Sequence, residues 1–86
     1  MSRQVTRVQT GLRLEKSLLK VMKATAEYCD MTLGDLVEGI VLHAFEGKAP
    51  FSAESLDAIA AFKTLYGCDL SALDSHRLEE VSDDSV

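Results

Sequence analysis

The chain of 86 residues has two cysteines, one proline, no tryptophan and no long apolar run. Two thiols, Cys29 and Cys68, are too few for the disulfide framework of a small secreted domain, so free thiols are expected. No stretch approaches the roughly 18 consecutive apolar residues of a membrane span. The opening M-S-R-Q-V-T lacks the apolar segment of a signal peptide. A cytoplasmic protein with no membrane partner is therefore expected. There is no Gly-rich loop or dinucleotide fingerprint to cradle phosphates, and Cys29, His43, Cys68 and His76 are spaced like no common zinc site. A Cys–His nucleophile would need a pocket that a short, mostly helical chain does not promise. Neither catalysis nor a metal or cofactor is expected.

Positive charge is scarce as well. Nine Lys and Arg face fourteen Asp and Glu, for a net charge of −5, which taken alone argues against a nucleic-acid partner. The deficit is unevenly spread. Residues 1–23 hold Arg3, Arg7, Arg13, Lys16, Lys20 and Lys23 against Glu15 alone, six cations to one anion. Residues 24–86 hold Lys48, Lys63 and Arg77 against the other thirteen carboxylates. A basic arm on an acidic body suits a protein that offers one face to a polyanion.

The last shortage is of strands. From Val5 to Leu14 (V-T-R-V-Q-T-G-L-R-L) the side chains alternate, with Val8, Thr10, Leu12 and Leu14 on one face and Arg7, Gln9, Gly11 and Arg13 on the other. That is the period of a half-buried β-strand. No second segment reads as a strand, and a lone strand leaves its backbone groups unpaired. A second copy of the chain would repair this, so the expectation is a homodimer with an antiparallel two-stranded ribbon. The polar face of that ribbon carries Arg and Gln, which read guanine and adenine edges in the major groove.

After the strand the pattern is helical. Glu15-Lys16-Ser17 opens a first helix ending near Tyr28 or Cys29, with Leu14, Leu18, Val21, Met22, Thr25, Ala26 and Cys29 on one face. Thr32 has the chemistry to cap a second helix, answered weakly by Asp35, and Gly47 is placed to end it. Leu33, Leu36, Val37, Ile40, Val41, Ala44 and Phe45 form its apolar stripe. Gly39 interrupts this helix at a cost on the order of 1 kcal/mol, tolerable if a neighbouring helix passes close by. Leu42 lies opposite the stripe, where a third helix could cover it. Lys48 to Phe51 is a linker, Ser52 caps that third helix to about Tyr66, and Ser71 to Glu80 offers one short further turn. The final S-D-D-S-V reads as a frayed acidic tail. Two units result: 1–47 for dimerisation and DNA binding, and 48–86 as a helical extension.

Strand, helix, turn, helix, with a polar alternation on the strand, resembles the ribbon-helix-helix family of DNA-binding proteins, and Gln9 to Phe45 is similar to its Arc-type repressors without a gap. The resemblance implies that Gln9, Gly11 and Arg13 of both chains lie in the major groove, although Gly11 has no side chain where that type carries Asn. It implies too that Thr32 and the first free amides after it, at Leu33 and Gly34, hold a DNA phosphate, as an unpaired helix N-terminus can. Where the family type buries an Arg–Glu–Arg cluster this chain has Met31, Leu36 and Ile40, an apolar substitute.

The expected function is a homodimeric, sequence-specific transcriptional regulator, a repressor by type, with one dimer or a pair of dimers on double-stranded DNA. Gln9 and Arg13 would contact bases, and Arg3, Arg7 and Lys16 phosphates, with Lys20 and Lys23 nearby. The dimer core would comprise Val8, Thr10, Leu12, Leu14, Leu18, Met22, Leu36, Val37, Ile40, Val41 and Phe45. The competing expectation is an antitoxin-like or other interaction module whose residues 48–86 bind a partner protein. Leu42, Phe51, Phe62, Tyr66 and the acidic surplus favour it.

Overall fold

Three helices begin where a side-chain oxygen can cap free amides and stop where the backbone turns left-handed. A computed structural model describes residues 2–81; the S-D-D-S-V tail lies outside the described residues. Helix α1 spans Lys16–Tyr28, α2 Leu33–Phe45 and α3 Ala53–Tyr66, followed by a 3-10 turn at Ala72–Asp74. At α1 the Glu15 carboxylate accepts hydrogen bonds from the Leu18 amide (2.8 Å) and the Ser17 hydroxyl (2.6 Å). An anion there also complements the positive end of the helix dipole. Thr32 Oγ1 accepts from the Asp35 amide at 3.1 Å, and Ser52 Oγ from the Ser55 amide at 3.2 Å. Each removes one orphan donor from a first turn.

The three C-termini close in one way. The Lys48 amide reaches back to the His43 carbonyl (2.9 Å) and the Gly47 amide to Ala44 (3.1 Å), with Gly47 at φ 70°. Gly67, at φ 67°, occupies the same position after α3, where Cys68 bonds back to Lys63 at 2.8 Å. After α1 the left-handed residue is Asp30 (φ 59°), with the Met31 amide bonded to the Ala26 carbonyl at 2.9 Å. Glycine takes this conformation without strain, and aspartate tolerates it better than most residues.

The described residues contain no β-strand. The expected ribbon-helix-helix class is corrected to an all-helical chain in which residues 2–15 form an arm without regular structure. The alternation in Val5 to Leu14 gives each side chain a face, but a strand exists only when a ladder pairs its backbone. The described residues supply no second edge for that ladder.

Helix α1 is the hub. It packs against both α2 and α3, which do not pack on each other. Tyr28 and Phe62 meet edge to face, centroids 6.1 Å apart, at the α1–α3 contact. Phe62 is thus accounted for within the chain. The third helix does not cover Leu42, which stays 62% exposed. Nor does another helix crowd Gly39, since a Cβ built there meets nothing within 4 Å. The Leu42 expectation assumed an α2–α3 contact that the chain does not make.

The interior is thin. Val21, Thr25, Ala26, Leu36 and Cys68 are buried, and Thr25 satisfies its hydroxyl on the Val21 carbonyl at 2.7 Å. Accessible surface totals 7676 Å², against about 5,000 Å² for a folded monomer of this mass. The radius of gyration is 14.5 Å, where a compact domain of this length has about 12 Å. Among the described residues no helix is long and apolar enough to cross a membrane.

Candidate nucleic-acid interface

The arm folds over the α1–α2 pair and encloses a groove of about 1040 Å³. Thr6, Arg7, Val8, Gln9 and Thr10 form its outer wall. Leu19 and Met22 of α1, with Thr32, Leu33, Gly34, Val37 and Glu38 at the start of α2, form the opposite side. Of the residues expected at DNA, five therefore converge here: Arg7, Gln9, Thr32, Leu33 and Gly34. Arg3, Gly11, Arg13 and Lys16 do not line the groove, although all four are exposed. Lys16 opens α1, and Lys20 and Lys23 stand exposed further along it.

Arg7 is held in place. Its Nε and Nη2 each donate to one oxygen of the Glu38 carboxylate at 2.8 Å, and Asp35 lies 3.8 Å away. Arg13 donates likewise through Nε (3.1 Å) and Nη2 to Glu80. These fork-to-fork pairs use the full geometry of the guanidinium. Their effect on protonation follows. The hydrogen bond from Arg7, then its charge, holds the Glu38 carboxyl below the usual carboxylate range, and Arg13 does the same to Glu80. Hydrogen bonds from the Ser17 hydroxyl and the Leu18 amide lower Glu15 too.

The sign of the pH dependence is fixed by these directions. With the folded value below the ordinary 4.5, the unfolded chain binds more protons as pH falls. The stability conferred by Glu38, Glu80 and Glu15 is complete above that ordinary value and drains as pH drops through the folded values. Urea midpoints are therefore expected to fall below it, and Glu38→Gln with Glu80→Gln to flatten the dependence. The shift will be small, because the pairs are solvated and screened. A midpoint that rises on acidification would contradict these pairs.

The expected dimer-core residues are distributed unevenly in the single chain. Leu36 is buried, and Met22, Val37 and Ile40 are half-buried. Val8, Thr10, Leu12, Leu14, Leu18, Val41 and Phe45 are exposed, Val8 and Phe45 at 83%. Val21 and Ala26, assigned by periodicity to the apolar face of α1, are buried. Of the apolar substitutes for the family's ionic cluster, Leu36 alone is buried; Met31 stays 40% exposed. Both cysteines are free thiols, with Cys68 buried.

Sequence reasoning missed Glu38 and Glu80, the partners of the two arm arginines. They lie 31 and 67 positions away in the chain, beyond the reach of any local pattern. The one available signal was the acidic surplus after residue 24. No family model, curated protein or solved structure matches this chain.

Proposed function

We propose that the protein is a homodimeric DNA-binding regulator, with the arm as its contact element. The observation that supports this best is the groove that gathers Arg7 and Gln9 with the N-terminus of α2. Three successive residues there, Thr32 to Gly34, begin a helix whose first amides and dipole favour a phosphate. Arg7, Arg3, Lys16 and Lys20 add the charge that drives duplex binding and makes it salt-dependent. Gln9 and Arg13 are the side chains suited to base edges, Gln for adenine and Arg for guanine. The Arg7–Glu38 pair is solvated, so a phosphate can displace the carboxylate at a cost of about 1 kcal/mol or less.

A second copy is supported by the surface the chain leaves open. About half as much area again as a monomer of this mass is exposed, and obligate dimers bury areas of that order. The apolar side of α2 from Val41 to Phe45, with Val8 and Leu12 of the arm, is the surface offered.

The test is selection of binding sites from random DNA with the purified protein, followed by Arg13→Ala on the recovered site. Arg13→Ala removes a bidentate base contact from each protomer, so binding is expected to weaken by at least about 5- to 150-fold, the worth of one such contact. Unchanged affinity at moderate salt removes Arg13 from base reading. Failure to recover any site at low salt favours the second reading, a module whose residues 48–86 bind a partner protein. One observation favours that reading: Leu56, Leu65 and Leu73 stand 53%, 70% and 85% exposed on the extension.

A further inference from the structure

Both arginines closest to the proposed contact already hold a carboxylate, and the second of them reaches it by a long detour of the chain. Beyond α3, Ser71 and Asp74 cap each other around the 3-10 turn, the Ser71 amide donating to Asp74 at 2.8 Å. The Arg77 amide then bonds to the Asp74 carbonyl at 3.0 Å, and His76 turns left-handed at φ 66°. This corner redirects the chain so that Glu80 meets Arg13 on the arm, 67 residues earlier in sequence. Nothing else joins these two segments by a side-chain hydrogen bond among the described residues.

We propose that the segment 75–81 masks the arm: Glu80 occupies the Arg13 fork that a guanine edge or a phosphate would take, and DNA must displace it to bind. This rests on the DNA-binding reading above. Two features carry it beyond an incidental surface pair. The contact is bidentate, the same two-pronged geometry that Arg uses on guanine or phosphate, so carboxylate and nucleic acid exclude each other. The pairing also repeats at Arg7 with Glu38, so both forks are filled by carboxylates from the acidic part of the chain. The masked side chains remain solvated, 81% exposed at Arg13 and 62% at Glu80, so exchange needs no unfolding.

The experiment compares the full chain with Glu80→Gln and Glu79→Gln. Glu79 loses the same charge one position away but has no ion-pair partner among the described residues. Binding to a labelled random-sequence duplex is followed by anisotropy near physiological ionic strength, where a distant charge is largely screened. Glu80→Gln is expected to tighten binding by the dimer roughly 2- to 30-fold, the worth of two solvated ion pairs. Glu79→Gln is expected to leave it within about twofold. Equal tightening by both variants overturns masking in favour of general repulsion. No change in Glu80→Gln, with duplex binding intact, overturns masking and leaves the DNA reading standing. Absence of duplex binding by all three proteins at low salt overturns both. Hydrogen exchange of the Arg13 Nε–H in the free protein gives a readout without DNA: protection in the parent and its loss in Glu80→Gln support the contact, and equal exchange in the two overturns it.

Discussion

Leu36→Ala is expected to lower the unfolding free energy by about 2–5 kcal/mol, the range for deleting a buried leucine side chain. The effect is large because Leu36 is the one buried residue of α2, at 4% exposure, and α2 packs within the chain only on α1. Small domains have about 5–15 kcal/mol in total, so this single change removes much of what holds the helix in place. Urea unfolding followed by circular dichroism measures it, with Leu42→Ala as the control. Leu42 sits on the same helix at 62% exposure, and its truncation is expected to stay within about 0.5 kcal/mol. Equal effects from the two substitutions would mean that the single-chain packing of α2 is wrong.

Phe45→Ala separates the chain's own packing from packing between copies. The ring closes α2 at 83% exposure, so within one chain it has little to lose, and Ala is the better helix former. At the surface proposed for the second copy it is the largest apolar side chain, and truncating a central aromatic anchor costs about 2 kcal/mol or more. The dimer dissociation constant is therefore expected to rise about 30-fold or more by sedimentation equilibrium. Helix content of the dissociated chain is expected to be unchanged. A dimer as tight as the parent's would move the contact away from the end of α2.

The contrast between these two residues shows what was legible in the sequence. Thr32, Ser52, Gly47 and Gly67 mark helix ends by chemistry that acts within one turn, and the chain carries that chemistry in its local order. The arm is different. Its alternation is as plain as any helical stripe, yet whether it becomes a strand depends on a partner edge that no local pattern specifies. The placement of α3 was hidden for a related reason. Its apolar side could meet Leu42 on α2 or Tyr28 on α1, and the choice fell to α1 through the Tyr28–Phe62 contact. Of the candidate site, residue types and their clustering near the N-terminus could be read directly. The carboxylates opposing Arg7 and Arg13 could not, because ion pairs across 31 and 67 positions are set by the path of the chain.

The shared manner in which the three helices stop bears on the order of events during assembly. Each stop is closed by amides returning to carbonyls within the preceding turn and a half, at Ala26, His43 and Lys63. Such closures involve no distant part of the chain, so the ends are defined as soon as each helix forms, on the timescale of about a microsecond. The arm and the exposed side of α2 carry no such local closure, and Val8, Leu12 and Phe45 stay exposed in the single chain. Formation of these helix ends is then independent of protein concentration, and under the proposed dimer the burial of Val8, Leu12 and Phe45 would depend on it. The turns thus define a unimolecular part of folding that the proposed association of two copies would follow rather than direct.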